Sequence, residues 1–387
     1  MASEPISILQ AFSVDNSDAL QCQAAFLLFL GLLAHREVHM GTDFVTTYTP
    51  LPWEDLGIEN DYQALGIPES IRSLQEAPLR QYSLSKLTDD LRQDGIDTTE
   101  WFNNSETKKS DIGELQSYLT NNLFENPNFL NLAKLVSVSV HHPSPLVQVA
   151  AASTCFDVIR DAGKFAGPVL LKGTYAKDAE VRNIAATTLA RVVPNHPRID
   201  ELTHQESAGS EGEPANTSLI VHGTWARNAT WWQPNGNFHD YILNSVDNSL
   251  YAGLDRYGWS GGYSNQARAL GALDLVDWVN QKGWNTPDLF THSHGGSVAM
   301  LANRAMDIGK LVLLSCPVHK NKYWPDFNRT QKVISIRVHM DLVILADRGG
   351  QRFRDPKIQE NILPLWFDHS TTHDPNTWVQ QNIPAMI

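Results

Sequence analysis

Ser293 stands in the sequence Thr-His-Ser-His-Gly-Gly, after the apolar run Asp288 to Phe290 and before a stretch with helical periodicity. At a tight turn from a strand into a helix, a serine is lifted above the sheet, and the amides that begin the helix face a developing oxyanion. Such a crowded turn needs small residues two positions before and two positions after the serine. Gly295 meets this requirement, whereas Thr291 departs from it. The pattern predicts that Ser293 is a nucleophile.

The same residues have a second interpretation, because Thr-His-x-His also begins a di-metal motif of the metallo-β-lactamase type. In that motif an aspartate and a histidine supply the next two ligands, and here those places hold Gly296 and Ser297. His292 and His294 alone do not make a coordination set. We therefore expect neither a metal nor an organic cofactor.

A second glycine-containing turn lies upstream, where the apolar run Ser218 to Val221 is followed at once by His222-Gly223-Thr224. A His-Gly pair at the end of an early strand lets the next backbone N–H turn toward a substrate, beside the amide that follows the nucleophile. The backbone N–H groups of Thr224 and His294 are thus the predicted oxyanion donors. We expect the ring of His222 to brace this loop rather than to take part in catalysis.

The turn at Ser293 and the His-Gly loop together resemble the α/β-hydrolase superfamily of serine hydrolases, of the esterase and lipase kind. The resemblance covers the chain from Ser218 to the C-terminus. It implies an α/β fold with a mostly parallel sheet, and a chain order of serine, then acid, then histidine. It also implies acyl transfer without a cofactor.

The resemblance further implies which residues complete the triad. Asp341 follows the predicted strand Val333 to Val338 in an Asp-x-Val turn, the place of the acid. His369 opens a closing block, His-Ser…His-Asp-Pro…Trp, in which the first histidine is the base. Asp347 and His373 remain the alternatives to Asp341 and His369.

The elements that must position these residues are predicted by the hydrophobic pattern after Ser218. Short apolar runs alternate there with amphipathic stretches, which favours a parallel sheet with crossover helices. The helices are expected at Asn265 to Lys282 and Gly296 to Met306. The strands are expected at Ser218–Val221, Leu250–Trp259, Asp288–Phe290, Lys310–Ser315, Val333–Val338 and Ile362–Phe367.

The first half of the chain has a different pattern, which predicts an all-α N-terminal domain over residues 1–203. A buried helix is expected near Ala19 to Arg36, and an alanine-rich segment after Val147 recurs in type after Val181, 34 residues later. The two segments resemble the second helix of a HEAT-like repeat, which would place repeats within residues 120–200. Two amphipathic helices with a shared alanine face are the alternative. The polar residues 204–217 are the predicted linker, and residues 218–387 the predicted catalytic domain.

Three tryptophans follow the His-Gly loop, here also called the oxyanion loop, and are predicted to form an apolar wall for a substrate: Trp225, Trp231 and Trp232. The alternative is that they only pack the loop on the sheet. The default substrate for this set of residues is a small carboxylic ester, with amides and thioesters as variants. A catalytically inactive hydrolase fold, with the helical domain acting as a protein-binding module, is the competing functional hypothesis.

The composition indicates which partners the protein is expected to bind and in which compartment it is expected. The formal net charge of −13 disfavours binding to nucleic acid and to anionic lipid surfaces. The three scattered cysteines argue against a disulfide framework and favour the reducing cytoplasm. The apolar run Ala24 to Ala34 is too short to span a bilayer and is expected to be a buried helix.

Overall fold

The structure, a computed structural model, describes residues 5–12, 16–40, 46–78, 81–96, 109–203, 217–253 and 255–387. The chain divides into two compact units. The first, here called the helical unit, comprises the chain up to Val192 together with Leu345–Arg348. The second, here called the sheet unit, comprises Val193–Ile344 and Gly349–Ile387. Residues 204–216, most of the predicted linker, lie outside the described residues.

The helical unit is mostly α-helical but also contains a short antiparallel pair of strands, β1 (Glu37–Met40) and β2 (Thr46–Thr49). The prediction of an all-α domain therefore holds only in outline. Short 3₁₀ helices are found at Glu69–Arg72 and Ala162–Lys164. The α-helices are Ile8–Ala11, Ser17–Ala34, Trp53–Leu56, Asp61–Ala64, Ser73–Glu76, Leu84–Gln93, Lys109–Glu125, Phe129–Ser139, Pro145–Val158, Ala166–Gly173 and Ala179–Val192.

The helix Ser17–Ala34 lies at the centre of this unit. The Asn16 side chain caps it by accepting a hydrogen bond from the Ala19 amide at 2.8 Å. Its residues from Ala24 onward are buried, as the apolar run predicted. The helix begins before that apolar run. Among the described residues it is the one helix that is long and apolar enough to cross a membrane, by length and composition alone. Burial within the unit accounts for the same composition.

The two alanine-rich segments form the helices Pro145–Val158 and Ala179–Val192. The second is capped by Asp178, whose carboxylate accepts a hydrogen bond from the Val181 amide at 3.0 Å. The two helices lie side by side, because Thr188 Oγ1 and Ser153 Oγ are 2.9 Å apart. Both segments were thus correctly predicted to be helical, and their assignment as HEAT-like repeats stays a prediction.

The sheet unit contains a five-stranded parallel sheet in the order β3-β4-β5-β6-β7. Its helices are Pro197–Thr203, Asn237–Ser245, Asn265–Gln281, His294–Ala302 and Pro375–Gln380, with 3₁₀ turns at Thr371–His373 and Ile383–Met386, and the helix Leu342–Asp347 follows β6. The strands are β3 (Ser218–Val221), β4 (Asp288–His292), β5 (Ile308–Leu314), β6 (Thr330–His339) and β7 (Ile358–Trp366).

The predicted strand Leu250 to Trp259 is the one substantial departure in this unit. Among the described residues of this run, only Leu250 pairs with the sheet, through an isolated parallel bridge to Ser218 of β3. Beyond it the chain turns inward, where the indole of Trp259 donates a hydrogen bond to the carbonyl of His222 at 2.7 Å. Trp259 therefore supports the loop after β3 instead of extending the sheet.

Both faces of the sheet are buried, as expected of a parallel sheet. Leu219 and Leu289 belong to the core cluster that also includes buried residues of Asn265–Gln281 and His294–Ala302. Ile220 and Phe290, their neighbours along the strands, belong to the cluster on the other face. The loops that follow the strands all leave from one edge, because the strands are parallel, and functional residues of open α/β sheets gather at that edge.

Candidate active site

The carboxyl edge of the sheet carries an unusual row of backbone conformations. The residue directly after each of four consecutive strands has a positive φ, although none is a glycine: Ser293 (54°), Ser315 (43°), Met340 (45°) and Phe367 (73°). Such conformations cost about 1–3 kcal/mol each and cluster at functional sites, where the surrounding structure maintains them. The strained residues therefore mark this edge of the sheet as a candidate functional site.

Ser293 occupies the turn between β4 and the helix His294–Ala302, with φ 54° and ψ −131°. A Cβ atom placed on Gly295 would lie 2.6 Å from the carbonyl oxygen of His222, so only glycine fits two residues after the serine. Two residues before it, Thr291 is accommodated because its hydroxyl donates to the carbonyl of Val312 at 2.9 Å. Thr291, which stands where a small residue was expected, thus forms a hydrogen bond to the neighbouring strand β5.

The His-Gly loop lies against this turn. A Cβ atom on Gly223 would come within 2.8 Å of Ser293 Cβ, so the absence of a side chain permits the close approach. The hydroxyl of Thr224 is 2.8 Å from Nδ1 of His294, which joins the two residues whose amides were predicted to be oxyanion donors. The amide of Trp225 donates to the carbonyl of Gly261 at 3.0 Å, which anchors the far side of the loop.

The predicted acid and base meet in the structure. Nδ1 of His369 donates to Oδ2 of Asp341 at 2.7 Å, and Asp341 is fully buried. The other carboxylate oxygen, Oδ1, accepts the amides of Val343 at 3.0 Å and Ile344 at 3.1 Å, at the start of the helix after β6. These bonds fix the Asp341 carboxylate in one orientation.

The alternatives have different surroundings. His373 packs its ring on Trp231, with centroids 4.1 Å apart, and its Nδ1 has no hydrogen-bond partner among the described residues. Burial, reinforced by the neighbouring His369, lowers the pKa of His373 to about 3. The carboxylate of Asp374 instead caps the helix Pro375–Gln380. Asp347 ends its helix and clusters with the helical unit.

His222 is enclosed between two indoles, with its ring centroid 4.6 Å from that of Trp232 and 5.8 Å from that of Trp259. Its Nδ1–H donates to the carbonyl of Gly223 at 2.8 Å. Burial lowers the pKa of His222 to about 4, so the ring is neutral near pH 7. This geometry suits the bracing role expected from the sequence.

The three tryptophans proposed as a substrate wall are not equivalent. Trp232 is buried, and its indole donates to the carbonyl of Ala226 at 2.7 Å, which favours the packing alternative for this residue. Trp225 and Trp231 are only half-buried. Trp231 lies edge-on to His292, with ring centroids 5.5 Å apart, and is therefore the tryptophan placed beside the residue that precedes Ser293.

Two neighbours of the site carry no predicted role. Arg268 is buried, donates to the Tyr323 hydroxyl at 3.1 Å and lies 5.0 Å from the ring centroid of Tyr263, which in turn contacts the His294 ring. His292, considered in the sequence only as a metal ligand, donates from Nε2 to the backbone carbonyl of His369 at 3.2 Å. That contact joins residues far apart in sequence, so spacing gave no signal for it.

No family model matches the chain, and no curated protein matches it.

Proposed function

We propose that the sheet unit is a serine hydrolase of the α/β-hydrolase type that cleaves carboxylic esters through an acyl-enzyme intermediate. Ser293 is the nucleophile, His369 the general base and Asp341 the acid that orients it. The observation that carries the proposal is the 2.7 Å hydrogen bond from His369 to the buried Asp341, at the same sheet edge as the strained Ser293. No metal or organic cofactor is required.

The tautomer of His369 supports this assignment. Because the carboxylate of Asp341 can only accept, the proton on the neutral ring resides on Nδ1 and the lone pair on Nε2. In the proposed reaction Nε2 takes the hydroxyl proton as Ser293 Oγ attacks the carbonyl carbon. The resulting imidazolium returns that proton to the leaving alcohol, and a water molecule then repeats the sequence to release the acid.

The developing oxyanion is assigned to the backbone N–H groups of Thr224 and His294. His294 is the first residue of its helix, where backbone N–H groups have no acceptor within the helix and the helix dipole favours negative charge. The contact between the Thr224 hydroxyl and the His294 ring holds the two residues together. The two amides are therefore proposed as donors on one side of the reacting carbonyl.

The proposed substrate is an ester with an apolar group on the side of Trp225 and Trp231. Their half-buried rings offer apolar surface beside the loop that bears the oxyanion donors. A series of p-nitrophenyl esters of increasing acyl length would measure this preference. If every length were inert although Ser293 is reactive, amides or thioesters would become the substrates to test.

The proposal is tested by labelling the full-length protein with a fluorophosphonate, which an activated serine attacks at phosphorus with loss of fluoride. We expect stoichiometric labelling at Ser293, located by mass spectrometry, and complete loss in Ser293→Ala. Ser297→Ala is the matched control, because Ser297 is a buried serine in the same helix and should leave labelling intact. An unlabelled but folded wild type would refute the proposal and favour a protein-binding role for the helical unit.

A further inference from the structure

The backbone of the proposed base is held by the residue that precedes the nucleophile. Nε2 of His292 is 3.2 Å from the carbonyl oxygen of His369 in a buried hydrogen bond. A carbonyl oxygen can only accept, so Nε2 of His292 carries the proton. One side chain thus connects the end of β4, where Ser293 stands, with the loop after β7 that carries His369.

His292 also contacts the oxyanion loop on its other side. A Cβ atom on Gly223 would lie 3.3 Å from Nδ1 of His292 and 2.8 Å from Cβ of Ser293. The His292 ring is therefore placed between the loop of the proposed oxyanion donors and the loop of the proposed base.

The ring is held neutral by its surroundings. The groups that face it are the imidazoles of His369 and His373, with ring centroids at 4.7 Å and 4.4 Å, the imidazole of His222, and the indole of Trp231. Burial lowers the pKa of His292, and the neighbouring histidines shift it in the same direction. A neutral ring with its proton on Nε2 leaves Nδ1 without one, on the side of Gly223.

We propose that His292 is a positioning residue, whose Nε2–H fixes the backbone of His369 so that the base is held at a set distance from Ser293. The inference rests on the proposed serine hydrolase function, in which His369 must meet the Ser293 hydroxyl. A displacement of about 1 Å in such an arrangement can cost on the order of 10²-fold in rate. The role requires the donor at Nε2 and not merely the bulk of a ring.

The hydrogen bond is tested first, without any use of activity, by nitrogen NMR of protein labelled with ¹⁵N-histidine. The resonances of His292 are assigned by their disappearance in His292→Gln. We expect one neutral ring with the proton on Nε2, unchanged between about pH 5 and 8. A ring that titrates in this range, or that carries its proton on Nδ1, would overturn the inference whether or not the protein is an active hydrolase.

The positioning role is tested by substitutions that move the donor. In His292→Gln the amide nitrogen reaches about the place of Nε2, whereas in His292→Asn it is shorter and reaches about the place of Nδ1. We expect kcat on a p-nitrophenyl ester to fall at least tenfold in His292→Asn with KM changed less than threefold, and to stay within threefold of wild type in His292→Gln. Matching melting temperatures would establish that both variants are folded.

The outcomes separate the two proposals. Equal loss in both folded variants, or full activity in both, would show that the Nε2 donor has no positioning role, while the serine hydrolase function would stand. A wild type that fails to react with the fluorophosphonate would instead refute the hydrolase function, and the NMR measurement would still decide whether the contact exists.

Discussion

Two buried clusters of ionisable side chains, one in each unit, differ in how their charges are treated. In the helical unit the buried carboxylate of Asp157 is paired with two arginines, through Nη2 of Arg348 at 2.8 Å and Nη1 of Arg191 at 3.4 Å. It also lies 3.0 Å from Nδ1 of His35, whose pKa is lowered by burial. Burial alone would raise the pKa of Asp157, but Arg191 and Arg348 outweigh it and hold that pKa well below its usual range. This cluster therefore contains paired charges: one carboxylate and two arginines.

The candidate site in the sheet unit keeps most of its ionisable groups neutral. Burial lowers the pKa values of His222, His292 and His373, so near pH 7 these three rings carry no charge. Beside them, His369 has a carboxylate partner in Asp341. Removal of one member of a buried ion-pair network is strongly destabilising, because the remaining charges are left without a partner. A histidine-carboxylate pair among neutral histidines in a perturbed environment is instead a candidate functional site.

The largest test of this contrast removes the charge beside His369. In Asp341→Asn the carboxylate is replaced by an amide, which can stabilise the opposite tautomer of His369 and does not stabilise an imidazolium. We expect kcat to fall about 10⁴-fold with little change in fold. Ester turnover and circular dichroism of the same preparation measure the two effects.

The matched control is Asp307→Asn, which alters an exposed carboxylate paired with Arg329 at 3.1 Å in the same unit. It should leave kcat within a factor of about two, because exposed ion pairs contribute little. Full activity in Asp341→Asn, with a large loss in Asp347→Asn, would show that Asp347 is the acid and would contradict the contrast between the two clusters.

The second test removes the carboxylate at the centre of the charged network. Asp157→Asn leaves the buried Arg348 and the partly buried Arg191 without their common counter-charge, which costs about 3–5 kcal/mol of stability in such networks. The loss should appear as faster hydrogen exchange of the core amides in the helix Ser17–Ala34. Asp89→Asn, an exposed partner of Arg92 in the same unit, should cost less than about 1 kcal/mol.

If Asp157→Asn proved neutral, the network would not be a determinant of stability. A large loss of esterase activity with unchanged exchange protection would likewise contradict the division between stabilising charges and a reactive site.

The elements that depend on a local pattern of residues could be predicted from the sequence. β3 was predicted with its observed bounds, and β4 to β7 were predicted with ends shifted by a few residues, because apolar runs mark buried parallel strands. The prediction of a strand at Leu250 to Trp259 was wrong. Apolar residues that pack into the core beside a sheet have the same composition as the residues of a buried strand. Tertiary packing decides between the two.

Contacts between distant residues were beyond the same reasoning. The order of Ser293, Asp341 and His369 could be inferred from a family resemblance, and the structure brings Asp341 and His369 together. The hydrogen bond from His292 to the His369 carbonyl joins two strand ends whose proximity depends on sheet order. The division of the chain at Val192, with Leu345–Arg348 grouped in the helical unit, likewise has no local signature.

The smallest predicted effect concerns how the stability of the sheet unit depends on pH. The pKa of His222 is lowered by burial from its unfolded value of about 6.5 to about 4 in the folded protein. Between these values the unfolded chain binds a proton that the folded chain does not, so stability falls as the pH falls, by about 1.4 kcal/mol per pH unit for each such histidine. Asp157 acts in the same direction over a lower pH range, because a carboxyl with a lowered pKa loses its contribution only as the pH falls below about 4.

His222→Phe keeps a flat ring between Trp232 and Trp259 and removes the titrating group. Urea unfolding between pH 6 and pH 4.5, followed by tryptophan fluorescence, reports mainly on the sheet unit, where most tryptophans lie. The free energy of unfolding of the variant should depend less steeply on pH than that of the wild type, by about 1.4 kcal/mol per pH unit. An unchanged slope would mean that His222 is charged in the folded protein. The contrast between neutral histidines in the candidate site and paired charges around Asp157 would then not hold for His222, the most buried of these histidines.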